Sequence, residues 1–138
     1  MALPGVYCVS HMTVSVKIDS EGDATPLQVC SAGDMVIVLL SNGAIIGYSK
    51  QKLAKQYKVV VPSCTSVCVG DDKVFAVCSD GKVFEICDGK AQTICALKNH
   101  LSCCVATNTT LFVGCADIPN DGSLIYVIDL TTKATKKI

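Results

Sequence analysis

The chain repeats itself. Residues Val29 to Gly43 align without a gap on residues Val67 to Gly81, 38 positions later. A third copy, Cys104 to Cys115, follows after a further 37. Each copy reads as strand, polar turn, strand, tight turn, strand. Asn42-Gly43, Asp80-Gly81 and Asp121-Gly122 stand between paired apolar runs at matching places in the units. These dipeptides favour the positive φ angles of tight hairpin turns. A small sheet of this kind cannot bury both faces alone, so repetition implies stacking against its neighbours.

A period near 40 in strand-rich sequence points to radial stacking, the plan of a β-propeller. The expected fold is all-β, with about three four-stranded antiparallel blades plus a partial one. The partial unit covers 6–22, where Ser10 matches Ser41 and Ser79 and no inner strand precedes it. The full units cover about 27–61, 65–97 and 102–138, with inner strands near Leu27–Ala32, Ser66–Val69 and Cys103–Ala106. Val36 to Leu40 and Val74 to Cys78 are apolar at consecutive positions. A half-solvated strand would alternate, so these runs imply burial on both faces. Three and a fraction blades do not close a ring of about four to eight. Apolar faces are therefore expected at both ends of the stack, to be covered by further blades, by other proteins or by self-association.

Composition narrows the partners. The 138 residues carry no net charge, so neither nucleic acid nor an anionic membrane is an expected partner. No apolar run approaches the roughly 18 residues of a membrane-spanning helix. The start, Met1-Ala2-Leu3-Pro4-Gly5, has no basic region followed by an apolar core, which predicts a cytoplasmic protein rather than a secreted one. Ten cysteines fit that compartment as small buried hydrophobes. Cys30, Cys68, Cys78 and Cys104 coincide with apolar positions in sister units and are expected to be buried and reduced.

Few residues carry chemistry. Cys64, Cys68, Cys103 and Cys104 come nearest to a metal motif, but adjacent strand residues point to opposite faces, which separates Cys103 from Cys104. His11 and His100 lie in different units and neither belongs to a nucleophile motif. Asp34, Asp71, Asp72 and Asp80 recur with the turns, so turn chemistry accounts for them. No glycine-rich phosphate loop is present, and no catalytic group, metal or cofactor is expected. Lys50, Lys52, Lys55 and Lys58 form a basic run on an outer edge, where lysine discourages edge pairing. Ala116 to Asn120 enlarges the last unit's turn, with Pro119 blocking strand pairing. The four lysines together with Asp117 and Asn120 are the candidate partner contacts.

The units resemble WD-repeat propellers. Asn99-His100 stands in the place of the family's Gly-His, and Ile128-Asp129 in the place of Trp-Asp, with 27 residues between the pairs. Ile125 to Lys133 is similar to the closing strand and its turn. The resemblance implies structural hydrogen bonding by His100, Asp121 and Asp129, with Asp117 or Asp121 as partner of His100. The chain departs from the family in having no tryptophan and a single match to the Gly-His histidine. What the resemblance implies is a non-catalytic scaffold for other proteins. Within the family, the weakly patterned blades are similar to actin-interacting two-propeller proteins. Two other readings stay open: an enzyme or ligand-binding propeller completed by further blades, and a cysteine-based metal or redox protein. Val29, Cys30, Val67, Cys68, Cys104 and Val105 on the inner strands argue against a polar channel site.

Overall fold

Short runs of β-branched and apolar residues, punctuated by Gly, Asp and Asn, give strands and no helix among the described residues. The computed structural model describes residues 23–116 and 125–138 in full and strands β1 (Gly5–Val9) and β2 (Thr13–Lys17) by their backbone. β1 and β2 pair antiparallel. Three four-stranded antiparallel sheets follow. The first holds β3 (Pro26–Ala32), β4 (Met35–Leu40), β5 (Ala44–Ser49) and β6 (Lys55–Val60). The second holds β7 (Cys64–Gly70), β8 (Lys73–Cys78), β9 (Lys82–Cys87) and β10 (Lys90–Ala96). The third holds β11 (His100–Ala106), β12 (Thr110–Ala116), β13 (Ile125–Asp129) and β14 (Thr135–Lys137). Each is a meander in chain order, and β7 contacts both β3 and β11, so the second sheet lies between the other two.

The inner strands β7 and β11 start earlier than the hydrophobic pattern indicates, at Cys64 and His100. The reason is a register shift near the start of each inner strand, between Pro26 and Gln28, Cys64 and Ser66, and Leu101 and Cys103. A bulge breaks the alternation that marks a strand in sequence.

The turns differ from the two-residue hairpins that Asn-Gly and Asp-Gly suggest. Gly43 and Gly81 have φ of +88° and +94°, whereas Asn42 and Asp80 keep negative φ. Leu40 and Cys78 accept the glycine N–H at 3.0 Å, and Asn42 and Asp80 side chains accept the N–H of Ala44 and Lys82. This is a turn followed by a left-handed glycine, the three-residue hairpin loop. The hairpins with two positive-φ residues are Asp71-Asp72 and Asp88-Gly89 instead.

The core forms between sheets. Ile37, Leu39 and Ile45 of the first sheet pack on Val67, Val74, Ala76 and Cys78 of the second. Phe75, Val77 and Val83, on the opposite face of the second, pack on Leu101, Leu111, Val113 and Ile128 of the third. Strands β4 and β8 are buried on both faces, as their consecutive apolar residues require. Strand β12 alternates, with Leu111 and Val113 buried and Phe112 and Gly114 partly open, because the described residues cover only one face of the third sheet.

Two expectations need correction. Cys68 and Cys78 are buried, but Cys30 and Cys104 are only half-buried. The latter two face the second sheet and pack against the cores there, but they stand on the innermost strands, at the margin of those cores. The second concerns the ends of the stack. The first sheet's outward face is buried at Val38, Leu40, Ala44 and Ile46, with Ala24 and Val36 packed against them. The same face keeps part of the expected exposure, since Val29, paired with Val38, and Val60, paired with Ala44, are exposed, as is Leu27.

Candidate interaction surface

Three polar side chains of the inner strands, Gln28, Thr65 and Ser66, join neighbouring sheets. Gln28 Oε1 accepts from the Val67 N–H at 3.0 Å and the Ser66 hydroxyl at 3.2 Å, joining the first sheet to the second. The Thr65 hydroxyl, at the second bulge, lies 2.7 Å from the Leu101 carbonyl and 3.1 Å from that of Val77, joining the second sheet to the third. Sequence reasoning passed over these three residues because it attended to the apolar positions between them. Gln28→Ala would leave a partly buried amide and hydroxyl without their acceptor. It is expected to cost about 1–3 kcal/mol, measured as a lower denaturation midpoint at unchanged slope.

Four of the thiols pair with one another, Cys64 with Cys78 and Cys68 with Cys104, and in each pair the second is shifted below the ordinary thiol range. The nine cysteines with described side chains form no disulfide with one another. Cys64, hydrogen-bonded to Cys78, and Cys68, hydrogen-bonded to Cys104, are held far above the ordinary thiol range by those bonds and by burial. Burial also raises Cys30. A neutral buried thiol is a poor nucleophile and a poor metal ligand. Among the described residues no three His, Cys, Asp or Glu side chains converge as a metal site.

Lys50, Lys52, Lys55 and Lys58 are all exposed on β6 and the turn before it, at the outer edge of the first sheet. The Lys50 ammonium donates to the Ser31 hydroxyl at 2.5 Å. Beside this edge lies an open cleft of about 530 Å³, lined by Asp34, Met35, Ser49, Lys52, Gln56, Tyr57 and Asp88. Turns of two sheets build it. Gly89, after Asp88, sits so close to Tyr57 that a Cβ there would lie 3.0 Å from the Tyr57 Cβ. Burial, with smaller contributions from Cys30 and Asp88, raises the Tyr57 hydroxyl, which stays protonated and able to donate. Tyr57 and Asp88 were absent from the candidate residues. The Asp88-Gly89 turn signal was the available clue.

The other candidates are dispersed. His100 is exposed at the start of β11, opposite Ala116 in register. Its neighbour Asn99 receives a hydrogen bond from the Tyr126 hydroxyl. Asp129 ends β13 and accepts from the Thr131 and Thr132 N–H groups at 2.8 and 3.0 Å, which lowers its carboxyl below the usual range. Asp117, Asn120 and Asp121 lie outside the described residues, as does His11.

No protein-family model and no curated protein matches the sequence. Solved structures do match its architecture. The β-propeller domain of Cps50 (Swd1) from Myceliophteria thermophila superposes with a TM-score of 0.62 at 12% identity, over 83% of this chain and 41% of that one. The fold is a stack of β-propeller blades. The N-terminal domain of Nup159 matches with a TM-score of 0.63 at 14% identity, over 80% of this chain and 32% of that one. Another solved structure has Saccharomyces cerevisiae Dbp5 bound to Nup159, with Gle1, IP6 and ADP. Kuenenia stuttgartiensis hydrazine synthase matches with a TM-score of 0.70 at 14% identity, over 87% of this chain and 37% of that one. The chain thus spans roughly a third to two fifths of these structures' length. At such identities the likeness speaks for the fold alone, which hosts many functions.

Proposed function

We propose that this chain is a non-catalytic protein-interaction scaffold of WD-like blades, and that its outer edge at Lys50–Lys58 contacts the partner. One contrast carries the reading. On the inner strands Gln28, Thr65 and Ser66 are spent on joining sheets. Lys52, Gln56 and Tyr57 of the outer edge instead line an open cleft together with Ser49 and the carboxylates of Asp34 and Asp88 from neighbouring turns. Mixed polar chemistry around an aromatic side chain suits a protein surface better than a small substrate. Nup159, a propeller of similar fold, has been seen bound to another protein. Thiols in this number suit a reducing compartment, in keeping with a cytoplasmic protein.

The test is affinity capture from a cell extract with the wild-type chain and with a variant carrying Lys50→Glu, Lys52→Glu, Lys55→Glu and Lys58→Glu. Proteins held by the wild type should be lost from the variant, with affinity at least about tenfold weaker for any partner isolated. Exposed positions of this kind change stability little, so the variant should unfold at nearly the wild-type midpoint. Cosedimentation with actin filaments tests the finer resemblance directly. Equal capture by both proteins would overturn the assignment of this edge.

A further inference from the structure

One repeat position sets a thiol against a thiol across two sheets. Cys30 and Cys68 are equivalent, 38 residues apart, and Val67 and Cys104 are equivalent, 37 apart. Cys30 and Val67 pack in the cluster between the first and second sheets. Cys68 and Cys104 pack in the cluster between the second and third. At the first interface this position therefore brings a thiol to a valine, and at the second a thiol to a thiol. The contact is direct. The Cys68 and Cys104 thiols are hydrogen-bonded to each other across the neighbouring inner strands β7 and β11. Cys104 Sγ also lies 3.7 Å from the hydroxyl of Ser66, two residues before Cys68 on β7. Cys68 is buried, whereas Cys104 keeps part of its surface in solvent.

We propose that Cys68 and Cys104 are a modification site, closed to a disulfide by a hydroperoxide and thereby clamping the second sheet to the third. Cys104 is the attacking group. It is the more exposed of the two, and its hydrogen bond with Cys68 favours the nucleophilic thiolate. Its sulfur attacks one peroxide oxygen. An S–O bond forms, the O–O bond breaks, and the departing oxygen takes up the proton that Cys104 gave up, leaving as water or an alcohol. The Cys68 sulfur then attacks the sulfur of the Cys104 sulfenic acid. An S–S bond forms, the S–O bond breaks, and the Cys68 proton leaves with the hydroxide as water. The thiol pair loses two electrons and the peroxide gains them. Thiols already in contact need little rearrangement to meet disulfide geometry. Access sets this pair apart from Cys64 and Cys78, since Cys78 has no exposed surface. A dithiol reverses the bond by exchange. The inference needs only the packing of two blades and is independent of the scaffold reading.

The test treats the folded 138-residue chain with hydrogen peroxide, blocks the remaining thiols and maps the disulfides by mass spectrometry. The expected result is joint loss of the Cys68 and Cys104 thiols, with the bond between them as the predominant disulfide, and their return with dithiothreitol. The bond should persist in Cys103→Ser, which removes the adjacent exposed thiol, and be absent from Cys104→Ser. Cys68→Ser should instead accumulate a dimedone-reactive sulfenic acid at Cys104. Circular dichroism should be unchanged by oxidation, and slower amide exchange in β7 and β11 should report the clamp. The wild-type map decides the matter if a serine variant fails to fold. Oxidation confined to the exposed Cys87 and Cys103, the same pairing pattern in the folded and the urea-unfolded chain, unchanged amide exchange, or loss of native circular dichroism as the bond closes would overturn the proposal.

Discussion

Phe75→Ala is expected to destabilise the fold by about 3–5 kcal/mol, the range for removing a large buried aromatic side chain. Phe75 belongs to the cluster that joins the second sheet to the third. It is the largest of the fully buried side chains. Truncation would remove its contacts with the third sheet and leave a void that β8 cannot close, because Ala76 on the opposite face is fixed against the first sheet. Equilibrium urea unfolding measures the loss as a lower midpoint. Phe112→Ala is the control, since it is the same position one repeat later, partly buried on the face that no described sheet packs against. Its cost under monomeric conditions should be less than half that of Phe75→Ala. Equal costs would show that the third sheet's outward face is covered after all.

The same pair of phenylalanines shows how far the sequence could be read. Period and turn chemistry made the sheets, their antiparallel order and the two-sided burial of β4 and β8 legible. They could not separate Phe75 from Phe112, because what covers a face depends on the number of neighbours and not on local pattern. The bulges were hidden because a bulge disrupts the alternation by which strands are recognised. Thr65 and Gln28 then looked like ordinary polar strand residues, although their side chains join one sheet to the next. The candidate site was read in part: the lysine edge was visible as a charge run, whereas Tyr57 and Asp88 meet there only through folding. Asn99 and Tyr126 are 27 residues apart, and their hydrogen bond has no local signature.

Gly81→Ala is expected to be nearly as damaging as the loss of Phe75, although it adds only one methyl group. Two effects combine. Gly81 has φ of +94°, beyond the small left-handed region open to L-residues, and holding a side chain there costs about 1–3 kcal/mol. A Cβ would also lie 1.9 Å from the Leu97 carbonyl oxygen, which is backbone and cannot swing aside. Relief would require separating two segments that are bonded at this point, since the Gly81 carbonyl accepts the Leu97 N–H at 2.7 Å and its own N–H donates to Cys78. The turn between β8 and β9 would then come away from the chain leaving β10. The total should reach about 3 kcal/mol or more by urea unfolding. Gly43→Ala should behave alike, with the Val61 carbonyl oxygen 2.4 Å from the added atom. Gly89→Ala is the informative contrast. Its φ of +76° carries a similar conformational cost, but the nearest atom is the Tyr57 Cβ at 3.0 Å, in a turn that reaches solvent. A loss of about 1–2 kcal/mol is expected there. If Gly81→Ala and Gly89→Ala cost the same, the backbone contact at Leu97 contributes nothing, and glycine is required at this turn by its φ angle alone.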